Sequence, residues 1–505
     1  MMRIAFDPPP GLNSNDTIYS IPGAWATATN MRWEDNRPQT VGGYAKTFAA
    51  ALTGSCRNVF NWTNNAGKAN IAFGTHSKLY VYIDGALADI TPSSLAAGSS
   101  SNGSQGFAYG RGTYGRSYYS FPPSQYKLRT WSLGAWGQTL LASPRYQTIY
   151  QWSNDTGTLA QEITQAPDQI AMMRVNSKTR QAIAFGCNEE ISANYNGLCI
   201  RWCDFEDLTA WATLASNNAG EQILNGGGQI VAAEQVGDVF GIWTDKDLHQ
   251  MIYVGDPGQT YQFDRVDENC GIIGPNAVCI MGGIAYFVGR DKRVRAWGGY
   301  GTKPIVIDCP IWKEFADNLV DAQLDKIVLS SNTKFGEIWI FYPDGRDGTE
   351  NSRAVFFRVG GQGVLWSKSD FARSAFCDSG VLSYPIGVTP AGAVHNHEYG
   401  STADGSSLSW SIKSAAQYLS EAEQTLQVQR VRPDFKGQTA DLTLTAYVRA
   451  HPQSSAVTKG PYTLTTATVK KDARFTAAIA ELEWAGTGYA RFGKPTFDAI
   501  PSGER

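Results

Sequence analysis

One pattern recurs along this chain and constrains its fold more than any other. It is a short apolar run, a turn made of one or two glycines or a Gly-Asp or Asp-Gly pair, and then an aromatic-rich strand. Residues 71–85 read Ile-Ala-Phe-Gly-Thr-His-Ser-Lys-Leu-Tyr-Val-Tyr-Ile-Asp-Gly. Residues 239–255 and 277–299 repeat the pattern, the latter around Gly282-Gly283. Apolar and polar residues alternate within each half, as in strands with one buried face. The turn residues supply the positive φ angles that tight hairpins need. No such hairpin buries its own apolar face, so a series of them predicts small sheets stacked radially, as in a β-propeller.

Candidate blades fall at 55–91, 135–152, 182–211, 229–254, 277–298, 326–366 and 380–412. Their spacing is near the roughly 40–50 residues of known propeller repeats. Beyond Ser414 the texture changes: Thr425–Phe435, Asp441–Ala450, Tyr462–Val469, Arg474–Glu483 and Tyr489–Phe497 alternate cleanly. The expected fold is therefore all-β. A propeller-like core of repeated antiparallel sheets spans 55–413, with a small β-sandwich or sheet module at 414–505 and an extended lead-in at 1–54 that closes onto the propeller. An aromatic, Gly-rich insertion at about 92–136 carries Tyr109, Tyr114, Tyr118, Tyr119, Phe121, Tyr126 and Trp131 and reads as a partner contact.

Composition agrees with this class. The chain of 505 residues has 52 Gly, 15 Trp, 23 Tyr and 22 Phe against 18% charged residues, an aromatic and turn-rich profile. One amphipathic helix is expected at Trp312–Leu324, where Trp312, Phe315, Leu319 and Val320 share a stripe. A formal net charge of −3 gives no overall basic field for nucleic acid. No apolar run reaches membrane-spanning length. The segment Met-Met-Arg-Ile-Ala-Phe-Asp-Pro-Pro-Pro is not expected to be a signal peptide. Eight scattered cysteines in a chain of this size read as buried thiols rather than a disulfide framework.

Motifs with chemistry are weak. His395 and His397 with Glu398 place two imidazoles on one strand face, but no third ligand follows at metal-site spacing. Cys199 and Cys203 have three residues between them instead of two, with no second pair, and read as core. The loop from Asp344 to Glu350 lacks the ligand pattern of an EF-hand and reads as a polar turn. The glycine clusters at 226–228 and 360–363 precede no helix and no Lys-Ser/Thr, so they are not phosphate loops. Carboxylate pairs such as Glu189-Glu190 and Asp204/Asp207 are plentiful, and none stands out as a glycosidase pair. No catalytic, metal-binding or cofactor-binding residue is expected. Basic residues cluster at 290–295 and at Arg430-Val-Arg432. Alternation puts Arg293 and Arg295 on one face, either a solvated face or a row turned toward phosphates or a channel.

A resemblance enters at the stretch 21–44. Pro22, Gly23 and Trp25 form a turn, Asn30, Arg32 and Trp33 a strand, and Gly42, Gly43 and Tyr44 an exit. This order resembles the opening of the tail nozzle (tail hub) proteins of short-tailed, podovirus-type bacteriophages. The segments 197–211 and 270–289 resemble later blades of the same family, so the likeness covers about 18–310 and becomes generic beyond; the insertion has no counterpart in it. It implies a structural virion protein: a homohexamer below the adaptor or connector ring, in contact with tail fibres or spikes. Such a ring forms the distal channel for genome retention and DNA ejection. The resemblance also implies assembly in the host cytoplasm, transient contact with viral DNA, no stable small-molecule ligand and no catalysis. Trp25, Asn30, Arg32, Trp33 and Tyr44 become structural or interface residues, with Arg293 and Arg295 facing the channel. The loops Leu95–Gly106 and Asn217–Gly228 are candidate gates. The competing reading, a carbohydrate-binding or carbohydrate-active propeller, rests on the abundance of Trp and Tyr.

Overall fold

Tight two-residue turns set the local structure. Asp84 and Gly85 (φ 52° and 80°) join Leu79–Ile83 to Ala86–Asp89, and Gly282-Gly283 (φ 60° and 77°) joins Val278–Met281 to Ile284–Val288. Both central residues lie at positive φ, the geometry whose twist matches paired strands. This computed structural model describes residues 2–17, 19–21, 23–103, 127–256, 259–360, 363–419 and 424–504. Most of the insertion, including Tyr109, Tyr114, Tyr118, Tyr119, Phe121 and Tyr126, and Pro22 of the N-terminal motif lie outside the described residues.

The hairpins assemble into a seven-bladed β-propeller. Six antiparallel four-stranded sheets follow in order: blade 1 from Cys56 to Asp89, blade 2 from Trp131 to Glu162 and blade 3 from Ile170 to Ile223. Blade 4 runs from Ile230 to Asp267, blade 5 from Val278 to Val306 and blade 6 from Val328 to Ser369. Blade 7 takes three strands from Ala375–Cys377, Ile386–Val388 and Val394–His397, and its fourth, Tyr44–Lys46, from near the start of the chain. The first strand of each blade is innermost and neighbours the first strands on either side, so the seven close a ring. Borrowing a strand from the other end of the chain pairs an edge that would otherwise stay open.

The first forty residues do more than lead in. Trp25–Thr29 pairs with Ser409–Ser414 in a six-stranded sheet that continues through Ile479–Thr487, Leu442–Arg449 and Val457–Leu464. Met2–Ala5 is the edge of a second sheet, followed by Thr496–Glu504, Gln424–Arg432 and Lys471–Ala477. The hairpin Met31–Glu34/Arg37–Thr40 joins a third with Arg491–Phe492 and Phe435–Lys436. The C-terminal module is thus a sandwich completed by the N-terminal segment. Ser409–Ser414, expected in the last blade, belongs to this sandwich. Trp131–Trp136, expected in the insertion, is the innermost strand of blade 2. The expected helix is one turn, Trp312–Ala316, and a 3-10 segment, Asp321–Lys326. Between them Leu319 bridges to Asp344 and the Val320 amide donates to Pro343, so the backbone bonds the blade-6 hairpin instead of continuing as helix.

Candidate functional site

The residues of the N-terminal motif converge on the seam between sandwich and propeller. Trp25 and Trp33 are buried in one continuous core with Phe6, Trp366, Trp484 and Phe492. Phe6 meets the Trp25 ring edge-on at 5.4 Å, and the Trp33 indole N–H donates to the Trp366 carbonyl at 2.9 Å. Aromatic area of this kind dominates the stability of such seams. Asn30 has φ 57°, a left-handed conformation that Asn adopts more readily than most residues. Its amide donates to Asp370 at 2.7 Å and to the Ser409 carbonyl at 2.9 Å, and its side-chain oxygen accepts from Ser369 at 2.7 Å. One side chain thereby ties the end of blade 6 to the sandwich.

Arg32 is the ionic centre of the seam. Its guanidinium, 1% exposed, donates to Glu337 of blade 6 at 3.2 Å and to Glu398, just past blade 7, at 2.9 Å. Its face stacks on Phe335 at 3.7 Å. The Trp339 indole donates to Glu337 at 3.0 Å and the Asn332 amide to Glu398 at 3.1 Å. Burial pushes the Glu337 carboxyl up to about 7, with Glu398 adding to the rise and Arg32 opposing it. Two carboxylates share one arginine here, so removing the cation strands both in a medium where an unpaired charge is costly.

Gly42, Gly43 and Tyr44 thread the chain into blade 7. A Cβ on Gly42 would lie 2.8 Å from the Glu398 Cα, and one on Gly43 2.3 Å from the Thr402 carbonyl oxygen, so no side chain fits there. Tyr44 lies against Phe371, His395 and His397, with the Arg373 guanidinium 4.5 Å above its ring. Arg373 donates to Nε2 of His397 at 2.8 Å. Burial and the neighbouring Arg373 hold His397 well below the ordinary imidazole range and His395 at about 4. Both imidazoles are neutral packing groups, and no cluster of three or more metal-ligating side chains occurs among the described residues.

Arg293 and Arg295 do not form a common basic row. Arg295 makes two 2.7 Å bonds to Asp291, while Arg293 sits in the preceding turn with its guanidinium 4.9 Å above Trp312. Neither candidate gate is an open loop throughout its described length. Asn102 exchanges hydrogen bonds with Gln323 at 3.0 Å, which pins the root of Leu95–Gly106 beside blade 6. In the other, Gly220–Ile223 is the outer strand of blade 3. The Asp344 turn is a salt-bridge cluster that holds Arg346 and Arg353. Cys199 and Cys203 lie in the blade-3 core, and all eight cysteines are unpaired.

A cavity of about 320 Å³ opens where the inner strands of blades 2, 4, 5 and 6 begin, lined among others by Lys127, Arg145, Gln229, Arg290 and Asp325. Arg145 donates to Asp325 at 3.0 Å. Burial pushes the Asp325 carboxyl up, yet Arg145 and Lys127 hold it below the usual carboxylate range. No aromatic ring lines this cavity among the described residues. The cations that sequence reasoning undervalued lie elsewhere, on the outer face of the sandwich: Arg430 and Arg432 share one sheet with Arg3 and Arg474. Their alternation was visible in the sequence. The partners that bring them together, at opposite ends of the chain, were not.

No family model matches the chain, and no curated protein does. Among solved structures it is similar to the computationally designed Ika8 protein, with a TM-score of 0.38 and 10% identity over 77% of this chain and 99% of that one. It is also similar to the β-propeller domain of Cps50 (Swd1) from Myceliophteria thermophila, with a TM-score of 0.40 and 8% identity over 70% of this chain and 98% of that one.

Proposed function

We propose that this chain is a structural subunit of a phage tail nozzle: a homohexamer that docks on an adaptor or connector ring and carries or meets fibres or spikes. The hexamer forms the distal channel through which DNA is retained and ejected. It is assembled in the host cytoplasm, becomes part of the virion, and has no catalytic role and no cofactor. One observation carries the reading. Trp25, Asn30, Arg32 and Trp33 of the N-terminal motif form one buried seam, in which Arg32 and Asn30 lock the sandwich to blades 6 and 7. The motif is thus the sequence of an architecture, which is what a resemblance between structural subunits requires. The carbohydrate reading gains nothing from the cavity where the inner strands of blades 2, 4, 5 and 6 begin, whose described lining offers no aromatic ring for sugars to stack on. Immunogold labelling of phage particles tests the proposal. Label at the distal tip of the tail is expected, and particles that carry none of the protein would refute it.

A further inference from the structure

The sheet formed by Met2–Ala5, Thr496–Glu504, Gln424–Arg432 and Lys471–Ala477 has one face in the core and one in solvent. Phe497, Ala499, Val428, Val431, Ala473 and Phe475 point inward. Asp498 therefore points to the other face, where, only 2% exposed, it accepts from Arg432 at 2.9 Å and from Arg3 at 3.4 Å. Arg430 reaches Asp472 on the neighbouring strand at 3.0 Å. Arg474, two residues beyond Asp472, shares that outward side and is exposed, as are Lys470 and Lys471 where the strand begins. Four arginines thus meet two carboxylates on this face, with Lys470 and Lys471 exposed at the edge where the last strand begins, in a chain whose net charge is −3. Arg474, Lys470 and Lys471 make no ion pair among the described residues. Four strands at about 4.8 Å spacing spread these charges over roughly 15 Å, a width that meets several phosphates of a duplex.

We infer that this outer face is a contact surface for the phosphate backbone of double-helical DNA, read by charge and without base specificity. Guanidinium groups present paired N–H donors suited to phosphate oxygens, and a sheet face presents them without a helix to enter a groove. Each phosphate neutralised releases counterions, so binding weakens steeply with salt. The inference rests on the nozzle reading only for where such DNA comes from.

The test is fluorescence anisotropy of a labelled 30-base-pair duplex with the full chain, titrated from 50 to 200 mM salt. The comparison is a variant carrying Lys470→Gln, Lys471→Gln and Arg474→Gln, with a control carrying Lys68→Gln, Lys178→Gln and Lys303→Gln on the propeller. Salt-dependent binding is expected, with the slope of log K against log salt reduced by about one per phosphate-facing cation removed. The control retains the full slope. Absence of binding at 50 mM salt, or equal binding by the first variant, would overturn the inference. So would capture by phosphatidylglycerol vesicles without binding to DNA. A monomeric protein whose binding depends on these residues leaves the inference standing and removes the nozzle reading. Sixfold rings that ignore DNA do the reverse.

Discussion

Arg32 shows how much one side chain can carry. It is the cation shared by Glu337 and Glu398, and it comes from the N-terminal segment while both acids come from the propeller. Arg32→Ala leaves two largely buried carboxylates without their cation, and a loss of about 3–5 kcal/mol is expected in chemical denaturation. Glu337 adds a pH dependence. Its folded pKa of about 7 lies above the ordinary 4.5. The folded state therefore holds this proton more tightly than the unfolded one, and the group's contribution to stability falls as pH rises from about 4.5 to about 7. The stability of the wild type relative to Glu337→Gln should decline across that window and level off above it. A difference that is flat or rises with pH contradicts the assignment. Sequence reasoning selected Arg32 because of its place in a motif. It had no access to Glu337 and Glu398, which lie more than three hundred residues away and carry no local signature.

At the level of elements, hairpins were the legible part. Alternation and the Asp-Gly and Gly-Gly turns mark strands because both are local properties of a few residues. The strand Tyr44–Lys46 was not recognisable as part of a blade, being three residues long and paired with His395–His397. The Thr47 amide donates to the Val394 carbonyl at 2.9 Å, and antiparallel alternation makes Ala45 opposite Asn396 a hydrogen-bonded pair as well. Ala45→Pro removes that donor and leaves blade 7 with an open edge. Faster amide hydrogen exchange is expected across Ile386–His397, with blades 2 and 3 unchanged; unchanged protection in blade 7 would show that the closing strand contributes little. The basic pair Arg293/Arg295 was misread for a related reason. Periodicity assumes a strand, whereas Arg293 lies in the turn before Val294–Trp297.

The whole molecule is two β modules joined through both ends of the chain. The propeller closes with an N-terminal strand, and the sandwich is completed by four N-terminal strands, so neither is a contiguous piece of sequence. That arrangement escapes pattern reading because it depends on pairings such as Met2 with Ala499. The seam between the modules is a shared core rather than a linker, an arrangement that suits repeated packing in a ring. The central claim concerns that ring, and single-particle images of the purified protein, alone and with its adaptor ring, test it most directly. Class averages with sixfold symmetry around an open channel are the predicted result. Isolated particles of 55.0 kDa mass under both conditions would contradict it.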